Sequence, residues 1–342
     1  MSSKLEAKAA FEATLAGFFY RQFTKPLPLP TNIKLTDQVA IVTGSNTGLG
    51  FESCRQLLKL GLSHLIMGVR SPAKGDEAAD LLRREFPDAM ISVWIVDMQS
   101  YDSIQAFAGQ CATLPRIDIT ILNAALMKIS YTSVPDTGHE LTVQVNYIST
   151  VLLAILLLPI LKSKKTSSAQ RPPVLSIVGS DLAYRVNIDT KGPVFQQFDE
   201  SKSYSQFLWY GRSKLLLALF FSKLCDFVDA DDVIINMPNP GTTKGTAFFR
   251  EFSTFAGKMV GVLQFLFARP VDVGATTYID AAVSRGKESH GSFLSDWAIK
   301  PYPLIWYTTE GIEFMEKLWE ETLEELSFVD ALKTIEDIRT LQ

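Results

Sequence analysis

A doubly wound parallel α/β sheet in a single domain is the fold this sequence predicts, and three observations predict it. Six apolar, β-branched runs alternate with stretches that mostly hold helices of ten or more residues. The first run leads into a turn containing three glycines. No repeat, low-complexity tract or linker divides residues 36–300. Strand–helix alternation implies a parallel sheet with helices on both faces and right-handed crossovers.

Residues 1–35 stand apart from this pattern. Phe11, Leu15, Phe18, Phe19 and Phe23 recur at helical spacing and form one apolar stripe. Lys4, Glu6, Lys8 and Glu12 interrupt any signal-peptide core, and no apolar run there is long enough to span a bilayer. Pro26, Pro28 and Pro30 enforce an extended linker. Such a helix either lies on a membrane or partner surface or packs back on its own domain. The second is favoured, because exposed stripes of that size are unusual in soluble monomers.

The strands follow in order. Gln38–Val42 reads as a buried strand, and Phe51–Leu60, with Leu57, Leu58 and Leu60, as the helix after the glycines. His64–Val69 is the second strand. Ser71 and Pro72 then supply an N-cap and a first helical residue. Met90–Val96, Ile117–Leu122, Val174–Val178 and Val233–Met237 complete the six. Ile148–Leu161 is the most apolar stretch, is broken by Pro159 and is followed by Lys162, Lys164 and Lys165. It is shorter than a membrane span and reads as a buried helix or subunit interface, as does Leu215–Phe221. Residues 301–342 add a helical extension.

Composition narrows the function. Apolar residues are 47% and charged residues 20% of the 342, ordinary for a globular protein. A net charge of -4 leaves no electrostatic footprint for nucleic acid. Cys54, Cys111 and Cys225 are an odd number lying far apart, which argues for a reducing compartment such as the cytoplasm. His64, His139 and His290 form no metal-ligand spacing with each other or with the cysteines.

The chemistry centres on Thr43–Gly50, TGSNTGLG. A strand, a Gly-rich turn and a helix N-terminus make an anion site, because free N–H groups and the positive end of the helix dipole point at a phosphate. The spacing G-x-x-x-G-x-G resembles the short-chain dehydrogenase/reductase superfamily, whose fingerprint is T-G-x-x-x-G-x-G on a Rossmann-type fold. The resemblance implies a cofactor held by Gly44, Ser45, Asn46, Gly48, Leu49 and Gly50. In this fold an acid about 20 residues past the glycines holds the ribose of NAD. Here that position reads Met67-Gly68-Val69-Arg70-Ser71, and the next acid is Asp76. An Arg without an acid beside it suits a 2′-phosphate, because its fork of donors matches phosphate oxygens, so NADP(H) is the expected cofactor.

Further matches follow in family order. Asp97, with Met98 beside it, matches the residue that binds adenine. Leu122-Asn123-Ala124-Ala125 matches the N-N-A-G segment, with Leu122 and Ala125 as departures, and places Asn123 at the cofactor. Tyr210 and Lys214 form Y-x-x-x-K, and Tyr210 alone among ten tyrosines has Lys at that offset. On a helix, residues i and i+4 share a face, so phenol and ammonium reach one ligand. A nearby cation lowers a phenol's pKa from about 10. Ser180, in VLSIVGS, matches the family Ser that donates to the substrate oxygen as charge develops. Ser176 is the rival, but mid-strand. Asn146 matches the Asn that completes the tetrad by kinking its helix. Pro240, Gly241, Thr242 and Thr243 resemble the P-G segment beside the nicotinamide, although Gly245 stands where the family usually has Thr. Asp181–Ser203, Arg269–Ala275 and Lys317–Glu320 look like the retinol-dehydrogenase-like and fungal secondary-metabolite reductases.

The expected activity is therefore NADPH-dependent carbonyl reduction or alcohol oxidation, in a homodimer. Ser180 would polarise the carbonyl, Tyr210 transfer the proton, Lys214 tune Tyr210 and hold the ribose, and Asn146 support the relay. Phe248, Phe249, Phe252, Phe255, Phe265 and Phe267, within a covering region at 246–267, suggest an apolar small-molecule substrate or, equally, core packing. A nucleotide-sensing binding protein on the same fold is the rival, but such relatives lose the Tyr or the Lys. An epimerase of the extended branch would carry T-G-x-x-G-x-x-G. A membrane-peripheral scaffold has only the N-terminal stripe in its favour.

Overall fold

The computed structural model describes residues 1–165, 171–199, 201–244 and 267–340. Its strands are β1 (Val39–Thr43), β2 (His64–Val69), β3 (Met90–Ile95), β4 (Ile119–Leu122), β5 (Val174–Ile177), β6 (Ile234–Asn239), β7 (Ser292–Ser295) and β8 (Ala298–Lys300). They form one eight-stranded sheet in the order β3-β2-β1-β4-β5-β6-β7-β8. β1 to β7 pair in parallel, and β8 closes the edge antiparallel to β7. The helices are α1 (Glu6–Glu12), α2 (Leu15–Phe23), α3 (Gly48–Lys59), α4 (Pro72–Glu85), α5 (Tyr101–Ala112), α6 (Leu141–Val143), α7 (Ser149–Ser163), α8 (Gln206–Leu224), α9 (Val271–Ile279), α10 (Thr309–Glu325) and α11 (Ala331–Thr340).

Strand alternation divides the core. Val39 and Ile41 face one cluster with α5, α7, α8, α10 and α11, while Ala40 and Val42 face another with α3, α4 and α9. Both faces of the sheet are thus covered, which is why its strands read as apolar runs rather than alternating ones. The six expected strands are present with ends shifted by one or two residues. β7 and β8 carried no comparable signal, because their hairpin turn lacks the usual Asn-Gly. Asp296 and Trp297 both take positive φ, 44° and 57°, as a two-residue hairpin between Ser295 and Ala298 requires. Tertiary contacts hold this turn: Trp297 Nε1 donates to Thr276 Oγ1 at 3.1 Å, and Lys300 Nζ lies 3.0 Å from Asp296 Oδ2.

Two expectations need correction. Leu141–Ser163 is a continuous helical run of 23 residues, long and apolar enough to cross a membrane. It exceeds the stretch read from sequence because α6 and a π-helical turn at Gln144–Ile148 extend it. Its most apolar window is 94% buried within the protein, and α7 packs against α5 and α11.

The N-terminal stripe is not one helix. The chain breaks at Ala13 and Thr14, and Thr14 Oγ1 caps α2 by accepting from Gly17 N at 2.9 Å. The segment does pack back on the domain, but through its polar side. Glu12, Arg21 and Gln22 are buried, while Phe11, Leu15 and Phe23 remain 45%, 63% and 62% exposed. At the very start Ser2 Oγ accepts from Phe293 N at 2.7 Å, and Tyr307 donates its hydroxyl to Ser2 O at 2.6 Å.

Candidate active site

The strand order reverses between β1 and β4, where a crevice opens at the carboxyl ends of the strands. After β1 the chain turns through Gly44 and enters α3 at Gly48, with φ +64° and +59°. L-residues rarely adopt that region. Gly50 is needed for a different reason: a Cβ there would lie 2.4 Å from Gly44 O and 2.5 Å from Asn123 Nδ2. Asn123 fastens β4 to this turn. Its Nδ2 donates to Thr43 O at 3.0 Å and Gly44 O at 3.2 Å, and its Oδ1 accepts from the Tyr278 hydroxyl at 3.2 Å.

The turn opens on a cavity of about 980 Å³. Asn46, Gly48 and Leu49 line it at the N-terminus of α3, where first-turn N–H groups lack intrahelical acceptors. Arg70, Asp97 and Met98 line it beyond the ends of β2 and β3, and Asn123 beyond β4. Gly44, Ser180, Tyr210, Pro240, Gly241, Thr242 and Thr243 belong to the same wall. Ser45 and Gly50 do not: Ser45 is fully buried, with Oγ 3.5 Å from Gly68 O, and both stand behind the turn as its support. The Phe267 ring reaches the cavity. Phe248, Phe249, Phe252, Phe255 and Phe265 lie outside the described residues, as does Gly245.

α8 carries the acid/base candidates. Tyr210 and Ser180 share the cavity wall, and Ser180 Oγ accepts from Leu182 N at 3.3 Å. Lys214 is buried one turn further on, and its Nζ donates to Val178 O at 2.8 Å. Asn146 sits in the π-helical turn. Its side chain exchanges bonds of 2.8 Å with Leu126 N and O, and Nδ2 donates to Ser213 Oγ at 3.2 Å. A polar side chain inside an apolar helix is thereby satisfied, and the helix widens where it sits. Ser176, the rival hydroxyl, donates to Asn236 Oδ1 at 2.7 Å inside the sheet.

Burial raises the Tyr210 phenol above its ordinary value, with the Ser180 hydroxyl opposing in part and the Asp181 charge adding to the rise. Burial likewise pulls the Lys214 amine down to about 7. Desolvation penalises the charged form of each group.

Sequence reasoning missed part of the wall. Phe18 and Phe19 of α2 also line the cavity. Their helical spacing was visible in the sequence, but the direction they face depends on how α2 docks.

The comparisons with known proteins agree with this fold. Residues 38–170 match the family described as short chain dehydrogenase. The chain is 60% identical over 339 residues to the short chain dehydrogenase virL of Hypocrea virens, covering 99% of both chains. It is 48% identical to the short chain dehydrogenase/reductase mfmJ of Annulohypoxylon moriforme, covering 94% of both. Among solved structures it is similar to an NADPH-bound short chain oxidoreductase of Pseudomonas aeruginosa with an atypical catalytic centre, at a TM-score of 0.58 and 18% identity over 77% of this chain and 96% of that one. A short chain dehydrogenase of Salmonella enterica gives 0.58 and 18%, over 78% and 98%. These two establish the fold. The chain belongs to the short-chain dehydrogenase/reductase family of oxidoreductases, and its relatives at high identity are fungal.

Proposed function

We propose that the protein is an NADPH-dependent oxidoreductase that interconverts a carbonyl and a secondary alcohol on an apolar small molecule. One observation carries this reading. A single cavity joins an anion-binding helix N-terminus and Arg70 at one end to Ser180 and Tyr210 at the other. The residues present fit a dinucleotide: glycines clear the turn, backbone N–H groups open the helix, and Arg70 lines the same cavity with a fork of donors that would suit a 2′-phosphate. The NADPH seen with the Pseudomonas aeruginosa structure is consistent with this choice.

When bound, the nicotinamide supplies or accepts the hydride. The protein's own groups do the rest. Ser180 donates a hydrogen bond to the substrate oxygen. Tyr210, kept protonated by burial, transfers its phenolic proton to that oxygen as negative charge develops. Lys214, with an amine pulled down to about 7, changes charge near neutrality and favours the phenolate when protonated. Asn146 fixes α8 through Ser213, whose hydroxyl donates to Tyr210 O at 2.8 Å. Consumption of NADPH is followed at 340 nm with a panel of aryl and alicyclic ketones. Ketone-dependent oxidation with alcohol formation is expected. Tight NADPH binding with no turnover on any ketone, and no oxidation of the matching alcohols with NADP⁺, would move the reading to a nucleotide-sensing protein.

A further inference from the structure

The N-terminal segment precedes the first strand of the nucleotide-binding fold, yet its polar residues are built into the site. Gln22 is 5% exposed. Its Nε2 donates to Thr242 O and Phe267 O, both at 2.8 Å, and its Oε1 accepts from Thr242 N at 3.1 Å. One side chain therefore ties α2 to both Thr242 and Phe267. Arg269 adds a second tie, donating to the carbonyls of Arg21, Gln22 and Pro240. Arg21 pairs with Glu12 and lies 3.4 Å from Asp181, the residue after Ser180. Its guanidinium also sits 5.1 Å from the centre of the Tyr184 ring.

These bonds fix which way α2 faces. Phe18 and Phe19 are directed at the cavity that Ser180 and Tyr210 line. Phe19 packs edge-on against Phe267 at 5.5 Å, and the Arg185 guanidinium lies 5.4 Å from the Phe18 ring centre. A helix tied down by buried amide and guanidinium bonds presents a fixed surface, and fixed aromatic walls select ligands by shape.

We infer that Phe18 and Phe19 form a wall of the substrate site and determine its specificity, with Gln22 positioning them. This rests on the reading of the cavity as the place where the carbonyl substrate binds. The ligand class is an apolar molecule with a flat or cyclic body, since the wall offers ring faces and edges.

The test uses the full-length protein with Phe18→Ala, Phe19→Ala and the double variant. Phe18→Leu and Phe19→Leu serve as milder changes should the alanines fail to fold. Leu15→Ala, 63% exposed on the same helix and off the cavity wall, is the control. NADPH affinity is measured by fluorescence. An aryl-ketone series of increasing size is then followed twice, by kcat and KM with NADPH and by calorimetric dissociation constants on the NADP⁺-loaded protein. The wall variants should raise KM or Kd for the small ketones about tenfold or more and shift preference toward the bulkier ones. NADPH affinity should stay within about twofold, and Leu15→Ala should match wild type. Gln22→Ala should give the same specificity shift, and Gln22→Glu should not restore the wild-type preference, because a carboxylate oxygen would face the Thr242 and Phe267 carbonyls that Nε2 donates to. Unchanged relative specificity in the wall variants overturns the inference. Ketones that bind but are not reduced sink the proposed reaction, while the dissociation constants still decide the wall. No ketone binding to the wild type overturns both.

Discussion

Tyr210 and Lys214 lie one helical turn apart, and burial drives them in opposite directions. The phenol is held protonated and the amine is drawn down to about 7. A phenol in that state is suited to giving a proton rather than taking one. Tyr210→Phe keeps the ring and removes the hydroxyl that carries that proton. Single-turnover ketone reduction should fall about 10²- to 10⁴-fold, while NADPH affinity by fluorescence changes little. Wild-type turnover in this variant would remove Tyr210 from the mechanism. Arg70 lines the same cavity, and its proposed role is in binding rather than chemistry. NADPH should bind more tightly than NADH, and Arg70→Asp should reverse that order, because a carboxylate repels a 2′-phosphate and accepts from ribose hydroxyls. Equal affinities in the wild type would refute the assignment of Arg70.

At the scale of elements, the loop before α6 is joined to the C-terminal helices by charge. His139 Nε2 lies 3.4 Å from Glu325 Oε1 at the end of α10, and Nδ1 lies 3.8 Å from Asp199 Oδ1. Glu325 also accepts from the Tyr101 hydroxyl at 2.8 Å, which brings in α5. Burial by itself would lower the His139 pKa, but hydrogen bonds and charge from Asp199 and Glu325 outweigh it and lift the value from 6.5 to about 9. The folded value exceeds the unfolded one. The contribution to stability is therefore complete below about pH 6.5 and is lost as the pH rises through about 9. His139→Gln should cost on the order of 1–2 kcal/mol in urea unfolding at pH 6, after allowance for the partly exposed Asp199, and almost nothing at pH 10. A cost independent of pH would show that the ring contributes by packing, for instance against Phe195 at 5.3 Å, and not by charge.

For the whole molecule, the two ends of the chain close over the nucleotide-binding core. α10 and α11 add Phe314, Leu318, Trp319, Ile335 and Ile338 to the same cluster as α7 and α8. The N-terminal hairpin instead joins by polar bonds from Ser2 to Phe293, Arg21 to Asp181 and Gln22 to Thr242. Deleting residues 1–24 removes two of the three carbonyls that Arg269 donates to and the Gln22 side chain that pairs with Thr242, and a group left unsatisfied there costs about 1–3 kcal/mol. The truncated protein should melt several degrees lower and bind NADPH more weakly, because the Gly241–Thr243 segment loses its support. An unchanged melting temperature and NADPH affinity would show that the segment is an independent appendage.

The sequence by itself determined six of the eight described strands and where the candidate site lies. Buried parallel strands must be apolar runs, a tight turn that another backbone approaches closely calls for glycine, and on a helix the two ends of Y-x-x-x-K share a face. Those are local constraints, written in neighbouring residues. Only the tertiary structure decided what α2 does. Phe18 and Phe19 have the same spacing whether they face lipid, solvent or a cavity. Their direction is set by bonds from Gln22 to Thr242 and from Arg269 to Arg21, more than 200 residues apart in sequence. The β7–β8 hairpin was hidden for the same reason, since Asp296 and Trp297 hold a turn usually given to Asn-Gly through contacts with Lys300 and Thr276. The charge states of Tyr210 and Lys214 also belong to the folded molecule, because desolvation depends on everything packed around a group and not on its neighbours in the chain.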